Sequence, residues 1–159
     1  MQKSQLVKDL QNRLADLLKD PGVADARQAR AIQRKGIMED AIAAYNFAVS
    51  EELLRLHEAS VQGEVKAKTL SAFRKHLIAY MEKNGTGYKG YDTYVAIICE
   101  YLAMVAQKPL HPPQVRQRAN NPPKDTDNRR YCALKPRHLK DPFSLCHFCH
   151  CLAWPETSG

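Results

Sequence analysis

The sequence predicts an all-α protein: a helical bundle of about four helices with an irregular, metal-stapled C-terminal extension. Three observations carry that expectation. Apolar residues recur at helical spacing through the first two thirds of the chain, no period-2 run of β-branched residues appears, and cysteine, histidine and proline crowd beyond residue 108. A chain of 159 residues, 44% of them hydrophobic, is the right size for one domain with its own core.

The first helix is expected over residues 4–19, where Leu6, Leu10, Leu14, Leu17 and Leu18 form one stripe and Ser4 can cap the N-terminus. Pro21-Gly22 stops it. Asp25 with Gln28 three residues later reads as a capping box for a second helix, whose pattern runs through Ile32, Ile37, Ala41, Tyr45, Val49, Leu53 and Leu56. Gly36 interrupts or kinks that pattern, since glycine costs about 1 kcal/mol relative to alanine inside a helix. A third helix is expected from about Glu64, with Leu70, Phe73, Leu77 and Met81 inward, to Asn84-Gly85. After a loop at 86–90, Asp92 caps a fourth helix with the stripe Tyr94, Ile97, Ile98, Tyr101, Leu102 and Val105, ended by Pro109.

Composition changes abruptly at Lys108-Pro109. Eight of the nine prolines, four of the five cysteines and four of the six histidines lie beyond it, as do nine of the 24 basic residues between Lys108 and Lys140. Residues 1–108 are therefore expected to form the bundle, and residues 109–159 a basic Pro/Cys/His-rich extension packed on it, one structural domain overall. No run of about 18 apolar residues is present, so a membrane-spanning helix is not expected. Met1-Gln2-Lys3-Ser4 leads into an alternating pattern rather than the apolar run of a secretory leader, and the expectation is a soluble cytoplasmic protein without a membrane partner.

The helical part shows no catalytic constellation. Glu51, Glu52 and Glu58 read as a solvated face, Cys99 as a small buried hydrophobe, and His57 and His76 as solvated among charged neighbours.

The chemistry concentrates in Tyr131-Cys132 and Leu145-Cys146-His147-Phe148-Cys149-His150-Cys151. Disulfides are not needed to hold a chain with an adequate core and no secretory signal. Four cysteines within twenty residues, among His, Arg and Pro, do not read as a buried strand or helix either. Metal ligation fits better: the Cys-x-x-Cys pair Cys146/Cys149 brings two thiolates together across a tight turn, and Cys132 closes the loop. A tetrahedral site needs a fourth ligand, from among His111, His138, His150 and Cys151. His111, held between prolines in Pro109-Leu110-His111-Pro112-Pro113, is favoured for a single Zn²⁺. Cys151 is favoured for the alternative, a four-iron–four-sulfur cluster.

The run Lys108-Pro109-Leu110-His111-Pro112, then Tyr131-Cys132, then Leu145-Cys146-His147-Phe148-Cys149, resembles an archaeal family of unknown function, numbered 2115, found mainly in methanogens. In that family a helical N-terminal part leads into a His-Pro motif, a Tyr-Cys motif and a terminal Cys-x-Phe-Cys. The resemblance covers roughly residues 70–151. The chain departs from the pattern at Pro113-Gln114-Val115-Arg116, where the family is glycine-rich, and at Ala133, where it tends to have proline. The resemblance brings no activity. It implies an anaerobic archaeal cytoplasm and favours His111, Cys132, Cys146 and Cys149 as one constellation.

The function expected is that of a non-enzymatic zinc-binding accessory module for another protein or a larger complex. The alternative is an iron–sulfur redox or electron-transfer subunit. A second alternative is a zinc-stabilised nucleic-acid-binding protein using the basic segment 108–141, although Tyr131 is its only aromatic before Phe143. Catalysis is least favoured, because Asp141 alone stands near the cysteines as a general base. Trp154-Pro155 is expected to anchor the tail on the bundle or on a partner.

Overall fold

Leu6, Val7, Leu10 and Leu14 occur at the spacing that puts four side chains on one face, and all four are fully buried in helix α1 (Lys3–Leu17). The computed structural model describes residues 1–32, 38–117 and 123–155. Helices α2 (Pro21–Ile32) and α3 (Met38–Arg55) follow, then α4 (Ala67–Asn84) and α5 (Lys89–Glu100), which continues as a π-helical turn over Tyr101–Ala106. Two one-turn helices, α6 (Pro113–Arg116) and α7 (Lys135–His138), and two short parallel strands, β1 (Tyr131–Cys132) and β2 (Leu152–Ala153), belong to the C-terminal extension.

The protein is thus mostly helical, as the periodicity requires, but the described residues hold seven α-helices rather than about four. Three local readings account for the difference. Pro21, expected to end the first helix, opens the next one. At the first helical position its missing N–H costs nothing. Asp25 therefore lies inside α2 rather than capping it. The long second pattern falls into two helices, α2 and α3; Gly36, expected to interrupt it, lies outside the described residues. The remaining two helices are single turns too short to leave a periodic signal.

Other end signals shift as well. Gln2, not Ser4, occupies the α1 N-cap and makes no side-chain cap bond. Asp92 sits in the first turn of α5 and accepts from the Thr86 N–H (2.8 Å) and hydroxyl (2.7 Å), holding the preceding loop instead of capping. The helix ending at Ala106 is closed by Gln107 in the left-handed conformation (φ 53°), two residues before Pro109.

The core lies where α1, α4 and α5 face each other, with Phe73, Tyr94, Ile97, Ile98 and Leu102 at its centre and Leu53 from α3. Ser50 ties three helices: its hydroxyl donates to Phe47 O (2.7 Å) and accepts from Arg27 of α2 (3.0 Å) and Tyr94 of α5 (3.3 Å). Glu100, only 2% exposed, is met by Arg74 of α4 through a 2.6 Å ion pair. The extension packs back on this frame: Phe148 stands edge-on to Phe73 at 5.3 Å between ring centres, and the Tyr45 hydroxyl donates to Pro109 O.

Candidate metal centre

Each cysteine of the extension is delivered by a different local device. Cys132 ends β1, and the register pairing Tyr131 with Leu152 sets it beside the chain that carries Cys151. The ladder is closed by Leu152 N–H to Arg130 O (2.7 Å) and Trp154 N–H to Cys132 O (3.2 Å). Cys146 lies in a 3-10 turn (Leu145–His147) capped by Ser144, whose hydroxyl accepts the Cys146 N–H at 3.1 Å. Cys149 follows through its own N–H to Cys146 O, completing the Cys-x-x-Cys turn.

These devices bring Cys132, Cys146, Cys149 and Cys151 to one small cavity of about 130 Å³, together with His111 and His138. All five predicted ligands therefore line a single space. Cys151 is the hub: its sulfur is 3.2 Å from that of Cys149 and in hydrogen-bond contact with Cys132. All the cysteines are free thiols. Among the described residues, no three His, Cys, Asp or Glu side chains stand in a finished metal-ligand arrangement; the donors converge without being set around a point.

The surroundings favour negative sulfur at Cys132 and Cys149 and oppose it at Cys146 and Cys151. Cys132 is held below the ordinary thiol range, first by the hydrogen bond from Cys151 and then by the backbone N–H groups of Leu134 and Lys135. Cys149 is lowered in the same sense, by Cys151 and by the Leu110 N–H, 3.3 Å from its sulfur. Cys151 is pushed up by its contacts with the Cys132 and Cys149 sulfurs and then by burial. Burial raises Cys146. Burial likewise lowers His111, with His138 and Arg116 adding repulsion, so the imidazole is neutral and available as a ligand.

Two basic residues counted as part of an exposed footprint work inside the fold. Arg116, 2% exposed, donates to both oxygens of Asp125 (2.9 and 2.8 Å), to Tyr131 O (2.9 Å) and to His111 O (2.8 Å). It thereby joins the His111 segment to the Cys132 strand. The Lys135 ammonium donates to the carbonyls of Cys149 (2.8 Å) and Cys151 (2.6 Å), clamping the last turn.

Cys99 is buried in the core as expected, and two other sequence expectations change here. Cys99 also lines the cavity, from α5, and its thiol is pushed up to about 12 by burial and then by Cys149; a helical pattern reads as far as the core and not to a cavity behind it. His76 is not solvated but packs among Phe143, His147 and Phe148 (5.0 Å to the Phe148 ring). Trp154 packs on Tyr131 of its own extension, 5.7 Å between ring centres, rather than on the bundle. His150, a weaker candidate, points away and donates through Nε2 to Ala103 O at 2.8 Å, within the π-helical turn.

A family model described as an uncharacterised protein conserved in archaea, the family of unknown function 2115, matches residues 5–153. The match reaches well beyond residues 70–151 and takes in the bundle. The UPF0305 protein MJ0646 of Methanocaldococcus jannaschii is 42% identical over 60 residues, 38% of this chain and 36% of that protein. The chain thus spans about a third of the length of that relative. No solved structure matches the chain. The chain belongs to the archaeal family of unknown function 2115.

Proposed function

We propose that this member of an uncharacterised archaeal family is a non-enzymatic zinc-binding helical protein, in which Zn²⁺ joins the C-terminal extension to the bundle. The zinc-held extension then serves as an accessory surface for another protein or a larger complex. The observation that carries the reading is the convergence of Cys132, Cys146, Cys149 and Cys151 on one cavity, with backbone N–H groups aimed at the sulfurs of Cys132 and Cys149. N–H donors to sulfur stabilise thiolate over thiol and orient it, as outer-shell partners of a metal site do. Four thiolates saturate a tetrahedral structural zinc.

The spacing favours one ion over a four-iron cluster. Tetrahedral ligands at about 2.3 Å from a single zinc stand roughly 3.8 Å apart, close to the 3.2 Å between Cys149 and Cys151. A cluster binds each cysteine through a different iron and needs them farther apart. This promotes Cys151 above His111 as fourth ligand. A zinc in this place supplies folding free energy to a segment with little apolar core of its own. Free thiols suit a reducing cytoplasm.

The nucleic-acid reading loses support from the same geometry. Lys108 pairs with Glu52, Arg116 and Arg130 with Asp125, and Lys135 is turned inward, so the basic count overstates the field available to a phosphate backbone.

Metal analysis of the full chain purified without oxygen tests the reading. About one or more zinc per chain with no visible absorption is the expected result. Iron with acid-labile sulfide and a brown band means the redox alternative, and no metal at all overturns the proposal.

A further inference from the structure

A cleft of about 690 Å³ opens along α1, α4 and α5 and shares no lining residue with the thiol cavity. Helical spacing builds it. Lys89, Thr93, Ala96 and Glu100 fall on one face of α5, and Leu77, Ile78 and Met81 line it from α4. The volume lies within the range of about 300–1,000 Å³ that encloses a small organic molecule. Its α4 wall is apolar, and Ile78 in that wall is 61% exposed.

At one end of the cleft two guanidiniums from different helices meet one buried oxygen. Oε1 of Glu100 accepts from Arg74 Nη2 at 2.6 Å and Nε at 3.2 Å, and lies 3.9 Å from Arg13 Nη1 of α1. A buried ion pair is commonly less stable than an apolar replacement of the same volume. What this one does give is an oriented pair of arginines at the cleft wall. Glu100 occupies the Nε–Nη2 edge of Arg74; among the described residues Nη1 of Arg74, and Nε and Nη2 of Arg13, have no protein acceptor. The other acids do not fill this place. Asp9 meets Arg13 at 3.3 Å as an exposed neighbour on the same helix, a pair that solvent screens. Asp92 sits about two helical turns away along α5, accepting from Thr86 at the rim.

We infer that this cleft binds a small organic carboxylate with an apolar body. The carboxylate is held by Arg13 and Arg74, and the body lies along Leu77, Ile78 and Ala96. Arginine suits the head because its planar fork matches a carboxylate and stays charged at any working pH. Glu100 is a positioning residue: at 2% exposure it is out of a ligand's reach and sets where the two forks stand. The inference is independent of the zinc reading.

The test is titration of the full chain, as purified, with octanoate, octanamide and octylammonium below their micellar range, followed by the methyl NMR signals of Ile78 and Met81. Octanoate is expected to saturate at one per chain and to shift both signals. Octanamide should bind about tenfold more weakly, the worth of one charge-assisted hydrogen bond, and octylammonium more weakly still. Arg13→Gln, which leaves the Arg74–Glu100 pair in place, is expected to bring octanoate down to the octanamide level without changing octanamide. Ile78→Asp, at an exposed position the fold tolerates, should abolish octanoate binding. Equal affinity for octanoate and octanamide overturns the inference, since the cleft would then be an apolar groove only. So does octylammonium binding more tightly than octanoate, an Arg13→Gln protein that binds octanoate unchanged, or the absence of a saturable shift at Ile78 and Met81.

Discussion

The bundle and the extension are held by different forces. In the bundle, residues 3–106, side chains such as Leu6, Leu10, Leu14, Phe73, Ile98 and Leu102 are buried to within a few per cent, and helix faces meet helix faces. In the extension, Leu110 and Leu145 alone of its described residues join the buried part of that core; Val115, Cys132 and Cys151 are buried apart from it. Its order rests instead on Arg116, Asp125, Lys135, a two-residue ladder and mutually touching thiols. Apolar burial is additive and tolerant. A polar network is not, since removing one partner leaves the others desolvated and unpaired.

The proposed zinc offers the sharpest way to break that contrast. On that proposal, chelation, or Cys132→Ser, is expected to abolish stoichiometric metal and amide protection across 110–117 and 123–155, while the far-ultraviolet circular dichroism of the bundle persists. Loss of helical signal together with the metal would show that the two regions fold as one unit. The converse change is Phe73→Ala, which removes a ring from the centre of the core and from contact with Phe148. It is expected to cost about 3–5 kcal/mol in urea unfolding and to affect both regions.

Asp125→Asn acts on the extension alone. It leaves Arg116 buried without its anion, and a cost of about 1.5–3 kcal/mol is expected, seen as faster amide exchange around Tyr131. The same pair has a pH signature. Arg116 holds the Asp125 carboxyl below its ordinary value, so its stabilisation is complete above the unfolded pKa and is lost as pH falls through the lower folded one. Extension-specific exchange should therefore rise in acid below about pH 4, and the wild-type slope there should flatten in Asp125→Asn. The smallest effect is expected from Gln107→Gly. Gln107 takes a left-handed conformation that glycine adopts without a Cβ penalty, and a gain of at most about 1 kcal/mol is expected in the thermal midpoint analysis.

Much of the bundle was legible because helix burial is periodic. The stripe read for α5 and its π-helical continuation is buried throughout; of the α1 stripe Leu6, Leu10 and Leu14 are buried together with Val7, while Leu17 and Leu18 are half-buried, and the Asn84-Gly85 end of α4 falls where it was expected. Boundaries were less legible where one residue type serves two ends. Pro21 excludes a helix interior but fits a helix start equally well as a stop, and only the packing of α2 along α3 chooses. The apolar residues of Tyr101–Ala106 read only as continued α-helix and nothing in them marks the π-helical turn, yet it is that turn whose Ala103 carbonyl receives His150.

For the site, residue chemistry and spacing by themselves determined the candidate donors: Cys132, Cys146, Cys149, Cys151 and His111 are soft or borderline ligands in a stretch too polar to be core, and they do line one cavity. Tertiary structure alone decided their relations. The parallel pairing of β1 with β2 sets Cys151 against Cys132 across nineteen residues of sequence, a register no local spacing encodes. Helix α5 turns Cys99 toward the same cavity, and buried Arg116 turns from a surface charge into the tie between the His111 segment and the Cys132 strand. The physical reason is the same in each case. Periodicity and ligand chemistry are properties of neighbours along the chain, whereas the sign of a thiol's environment and the pairing of a charge depend on groups that only folding brings within a few ångströms.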